Sequence, residues 1–296
     1  MTEPHTDVTP GAELARPCHK SLEALHALIY FSPDADEAFA ELGLDTRPMR
    51  YFAGRAAPMG AVGAGVVAAT FYNFNPRIIA DVIPHAWSIA DPAAVIETRF
   101  RAADTALRKL LGEQAIASDE LAEAAALARR ATEACRPEAR PLYAGHADLE
   151  WPQEPHLVLW HAISLLREHR GDGHLMALQE AELCGLHALV LQNSAGAGLS
   201  RQFAQASRGW SDEEWAQAQD ALRERGLVDA DGAVTDEGAA LREHIEQRTD
   251  ALAAAPWAHL GAENAKRLAA HGKQLSKLVA QNGAFPGSAF AGGARK

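Results

Sequence analysis

Cysteine is scarce in this chain. Its three cysteines, Cys18, Cys135 and Cys184, are odd in number, far apart and without a CxxC pair. That excludes a disulfide framework and points to reduced thiols in a cytoplasmic protein. Positive charge is also short: 28 Lys and Arg stand against 39 Asp and Glu, a formal charge of −11. Such a balance repels phosphate backbones and anionic membranes on average, which argues against DNA and membrane partners. The longest apolar run, residues 57–71, falls short of the roughly 18–20 residues that span a bilayer and is rich in glycine. It reads as a tightly packed buried helix. No signal-peptide pattern and no solenoid repeat is visible. GxSxG is missing, and "GAVGAG" (60–65) is neither a dinucleotide nor a Walker loop, so no cofactor is expected.

What is present is ordinary globular material. Of 296 residues, 48% are hydrophobic, enough for sizeable cores and a prior of two domains. Alanine runs such as "ELAEAAALARRATEA" and few β-branched stretches make the chain mainly α. Helix starts are legible at Ser32-Pro33, Asn75-Pro76, Asp91-Pro92 and Ser211, the last with Glu214 as a capping box. Residues 136–155 hold four prolines and no period, and read as a connection. Helices over 156–169 and 175–192 are expected, separated by "RGDG". Residues 227–235, "LVDADGAVT", read as strand, Asp-Gly hairpin and strand. The division is therefore a helical domain over 1–145, a second domain over 146–255, and a C-terminal helix with a flexible tail over 256–296. The first ten residues and the tail beyond about 280 read as disordered.

The second half, "RERGLV" then "DADG" then "AVTDEGAALREHIEQRTDAL", resembles the winged-helix domain of MarR-like regulators over residues 175–252. More of the chain is similar to an actinobacterial helix-turn-helix family. The residues that carry this are Tyr30-Phe31, "RAAPMG" (55–60), "FYNFNP" (71–76) and "LWHAISLLREHRGDGH" (159–174). The resemblance implies a winged helix with a small β-hairpin wing, and a homodimer. DNA reading does not follow from it. The recognition-helix candidate 211–226 carries Asp212, Glu213, Glu214, Asp220 and Glu224 against Arg223 and Arg225. Its base-facing turn is "SDEEW", which suits the helix dipole but opposes phosphates.

Two polar islands remain. On the helix from 156, His161, Ser164, Leu165 and Glu168 share one stripe, followed by Arg167, His169, Arg170, Asp172 and His174. The i, i+4 histidines of HExxH sites are missing, so no metal is expected. The bland reading is structural: Gly171 as a helix stop, Asp172 as the next cap, and His161 as a hydrogen-bonded core residue. The other island joins Tyr30, Arg55, Tyr72 and Asn73 to the phenylalanines of "FYNFNP", with an aromatic core plug as its bland reading. Aromatic walls with amides, phenols and an arginine line organic-ligand pockets, and an arginine favours an anionic ligand. The expectation is an interdomain pocket for a small anionic organic molecule, bounded by Tyr30, Arg55, Tyr72, Asn73, Arg167 and His174. In a cofactor-free acid/base enzyme of specialised metabolism, His161, His169 and Glu168 would move the proton. The alternative is a ligand-responsive regulator that binds DNA.

Overall fold

The computed structural model describes residues 9–286. Among them the chain is helical, in the order α1 (Ala12–Ala27), α2 (Pro33–Glu41), α3 (Arg47–Ala56), α4 (Ala64–Phe71), α5 (Pro76–Ala80), α6 (His85–Ile89), α7 (Pro92–Leu111), α8 (Glu113–Ile116) and α9 (Asp119–Thr132). There follow α10 (Pro141–Ala147), α11 (Pro155–Glu180), α12 (Gly185–Ser194), α13 (Arg201–Arg208), α14 (Asp212–Glu224), α15 (Asp236–Leu252), α16 (Ala255–Leu260) and α17 (Ala262–Gln281). Short polar side chains set the starts, as the sequence implies. Ser32 caps α2, Asn75 caps α5, Asp91 caps α7, and Ser211 with Glu214 closes a capping box on α14. No single helix among the described residues is long and apolar enough to cross a membrane. The apolar run 57–71 is not one helix, because the chain bends by 94° between Arg47–Met59 and Ala64–Phe71.

The central element is α11. Sixteen of its 26 residues are buried, on every side rather than along one stripe. Its first half, Leu159 to Leu166, lies in a core shared with α1, α7, α9, α16 and α17. Its last turns, Ala177 and Leu178, join a second core with α12, α14 and Ile245 of α15. A third core is aromatic, with Phe39, Phe52, Phe71 and Phe74 packed together under α7. Helix α17 returns to lie along α1, where a side chain on Gly272 would strike Leu22. The expected disorder at the chain ends falls mostly outside the described residues. Within them, Asn282 donates to the Leu110 carbonyl and Phe285 meets Phe31 edge-on at 5.5 Å.

Three expectations are corrected. First, the winged helix with a β-hairpin wing is not formed: among the described residues there is no strand, only single bridge residues, of which Val228 and Val234 pair antiparallel. The Asp229 carboxylate accepts the backbone N–H groups of both Asp231 and Ala233 at 2.9 Å. Two ladder bonds do form, from the Asp229 N–H to the Ala233 carbonyl at 2.9 Å and from the Thr235 N–H to the Leu227 carbonyl at 3.1 Å, and pairing goes no further because the Asp229 carboxylate takes the Ala233 N–H. The fold is mainly α. Second, "RGDG" does not break the helix, and α11 runs through it. Two glycines cost a helix about 2 kcal/mol in propensity. Here Gly173 makes room for Arg140, which donates to the carbonyls of His169 and of Leu252 (2.8 Å). Asp172 accepts the Tyr143 backbone N–H at 3.0 Å instead of capping a following helix. The break comes later, at Glu182, with φ at +53°. Third, the Pro-rich stretch 136–155 contains α10, which starts on Pro141.

Candidate functional site

Glu168 is the buried charge around which the two halves meet. It is 2% exposed. A buried carboxylate costs several kcal/mol unless paired and hydrogen-bonded. Arg167 Nη1 donates to it at 2.7 Å, and Arg55 Nη2, from α3, lies 3.4 Å from both of its oxygens. Burial pushes the Glu168 carboxyl up, but Arg167 and then Arg55 outweigh it and hold the group well below the usual carboxylate range.

Beside this cluster opens a cleft of about 270 Å³. One wall is aromatic: Tyr51, Phe71 and Phe74. Another wall is aliphatic, with Leu175 and Leu178 from α11, Leu183 from the turn after it and Leu189 from α12. Two guanidiniums stack on the aromatic wall, Arg55 at 4.3 Å over Phe71 and Arg208 at 4.4 Å over Phe74. Arg208, the last residue of α13, donates to the Ser207 hydroxyl and forms no ion pair with a carboxylate among the described residues. Burial lowers its proton affinity; Tyr51 opposes this, and Arg55 and Arg167 add to it. Tyr51 accepts from Arg55 Nη1 at 3.0 Å. Burial pushes that phenol up, yet the positive charges of Arg55, Arg208 and Arg167 bring it below its ordinary value. Asp172 also lines the cleft, and burial raises its carboxyl to about 6.

The loop after α4 both walls the cleft and holds the C-terminal helices. The Tyr72 hydroxyl donates to the Leu183 carbonyl at 2.5 Å, Trp210 Nε1 donates to the Asn73 carbonyl at 2.9 Å, and the Asn75 N–H donates to the Arg208 carbonyl at 2.8 Å. Gly185 lies so close that an added Cβ would sit 1.8 Å from the Tyr72 carbonyl oxygen. The segment this loop grips is two helices, α13 and α14, joined by a tight turn whose Gly209 has φ +73°. Such a turn joins the two helices of a DNA-binding helix pair. A helix-turn-helix family model matches residues 15–286.

The chain belongs to the helix-turn-helix family. The match covers both walls of the cleft as well as the helix pair, and it is coarser than the MarR-like resemblance. No curated protein and no solved structure matches the chain. Within this helix-turn-helix protein, the first turn of α14 carries Asp212, Glu213 and Glu214. Glu214 accepts from Arg77 at 2.8 Å and from the Asn75 amide. The turn itself abuts Ile78, 2.5 Å from where a Cβ on Gly209 would stand.

Six residues singled out from the sequence line the cleft: Arg55, Tyr72, Asn73, Arg167, Glu168 and His174. His174 also hydrogen-bonds Thr249 at 2.9 Å. Three do not line it. His161 is buried between Trp151 and Phe100, its ring centroid 4.8 and 5.7 Å from theirs, and burial lowers it to about 4. His169 packs edge-on against Tyr143 at 5.2 Å, and burial lowers it to about 3. Tyr30 lies one layer behind Tyr51, bonded to His26 Nε2 (3.0 Å) and Arg99 (3.3 Å). Tyr51 and Arg208 were not among the residues singled out. Tyr51 stands four before Arg55 on α3, a spacing that puts the two on one face and could have flagged it. Nothing local marks Arg208, since its role depends on a ring 134 positions earlier.

Proposed function

We propose that this helix-turn-helix protein binds a small anionic organic molecule in the cleft, to which the helix pair contributes Arg208, rather than reading DNA. The observation that carries it is Arg208, a guanidinium held over Phe74 without a carboxylate partner among the described residues, beside Arg55 and Arg167, which share one. A cluster with more arginines than acids is stabilised by an added anion, and the aromatic wall supplies apolar area for an organic body. Two features speak against base readout: three carboxylates in the turn that meets base edges, and Arg77 and Asn75 bonded to Glu214 of that turn. The proposal stops at binding, because His161 and His169 lie outside the cleft.

Calorimetric titration with phenyl phosphate, phenyl sulfate and benzoate tests it. At least one binds at a single saturable site, and Arg208→Gln weakens it. Absence of binding by all three removes the reading. Titration with a random duplex at low salt gives no complex; salt-dependent binding there favours the regulator alternative.

A further inference from the structure

The charged end of the cleft is unbalanced in a way that specifies the ligand further. Arg55, Arg167, Arg208 and Arg242 line the cleft against the carboxylates of Glu168 and Asp172, which leaves two positive charges. The remaining acid of the lining, Glu246, pairs with Arg170 at 2.9 Å. The phenol of Tyr51 is hydrogen-bonded to Arg55, and His174 is held neutral by burial. Arg55 and Arg208 stack on rings whose centroids are 6.4 Å apart, and each leaves its buried Nε–H without an acceptor. Buried donors without acceptors cost free energy that a ligand oxygen can recover. Guanidinium forks match tetrahedral oxyanions and bind them bidentately.

We propose that this end of the cleft takes a dianionic phosphoryl group, so that the ligand class is a small phosphate monoester whose organic part lies along the Tyr51, Phe71 and Phe74 wall. The inference rests on the cleft reading above and narrows it. The volume of about 270 Å³ sets the size of the body, lying just below the roughly 300 Å³ at which drug-sized sites begin. A monoanion of the same shape leaves one positive charge of the lining uncompensated.

Phenyl phosphate and phenyl sulfate separate charge from shape, since both join one ring to one tetrahedral head. At about pH 8 the first is a dianion and the second a monoanion. Phenyl phosphate binds the full chain roughly tenfold more tightly than phenyl sulfate, the gain expected of one more charge-assisted pair. Its affinity falls as pH drops through about 6, where the phosphoryl group takes a proton, while that of the sulfate does not fall. Protonation of Asp172 in the same interval removes a negative charge and so works in the opposite direction. Arg208→Gln brings the two affinities together, and Arg208→Lys keeps part of the difference. Equal affinities, or tighter sulfate, overturn the dianion assignment and leave the cleft reading standing. Failure of all the anions to bind overturns both. A phosphate preference undiminished in Arg208→Gln overturns the placement of the group. Should that variant not fold, the wild-type comparison decides alone.

Discussion

Arg55 and Glu168 stand 113 positions apart in the chain and 3.4 Å apart in the buried floor of the cleft. Arg167 holds the same carboxylate from the neighbouring position on α11. Removing the shared acid leaves two buried cations facing each other. Glu168→Gln is therefore expected to lower the free energy of unfolding by about 3–5 kcal/mol, read from urea denaturation. Because the carboxyl is depressed in the folded protein, its contribution is present above its ordinary value of 4.5 and is lost as pH falls below that. Glu168→Gln loses this part of the acid sensitivity. A variant as stable as the wild type contradicts the burial argument.

His161 gives a different acid response. Folded, it stays neutral down to about pH 4; unfolded, it takes a proton at its ordinary value of 6.5. Its contribution to stability is complete above 6.5 and falls as pH drops from there towards 4, at roughly 1.4 kcal/mol per pH unit. His146 and His169, both lowered to about 3, add in the same direction. His161→Phe, placed between Trp151 and Phe100, flattens this slope by one proton. Denaturation series at several pH values measure it, and an unchanged slope refutes the assignment.

The two glycines of "RGDG" respond in opposite ways. At Gly171 an added Cβ meets nothing closer than the Glu168 carboxylate at 3.6 Å, so Gly171→Ala stabilises α11 by about 0.5–1 kcal/mol. At Gly173 it comes within 2.7 Å of Arg140 Nη1 and 3.3 Å of Leu252 Cβ. Arg140 cannot move aside without giving up its carbonyl partners on His169 and Leu252, so Gly173→Ala destabilises by about 1–3 kcal/mol. Thermal melts of the pair decide it, and equal shifts of the same sign are the contrary result.

Gly185 sets the contact between the cleft loop and α12. Gly185→Ala forces the Tyr72 carbonyl away and loosens the grip on α13 and α14, at a cost of about 2 kcal/mol or more. Amide exchange quickens at residues 72–77 and 208–214 while the α1–α17 bundle keeps its protection. Uniform protection throughout argues against that loop as the link.

The cleft was legible in part. Arg55, Arg167 and the "FYNFNP" loop stood out as dense polar and aromatic islands, and these do meet. His161 and His169 stood out for the same reason yet are buried away from it, because adjacent positions on a helix enclosed on every side face different neighbours. Tyr51 and Arg208 look unremarkable in the chain and matter through what packs against them.

Sequence alone determined the helical character of the chain, the capped starts at Ser32, Asn75, Asp91 and Ser211 and the overall acidity, because capping, periodicity and charge act within a few residues of one another. The tertiary structure decided that α11 continues through two glycines beside Arg140, and that Arg55 joins Arg167 on Glu168 in a cleft that Arg208 also lines. Those outcomes depend on which buried groups find partners across more than a hundred residues, and short-range pattern carries no record of that.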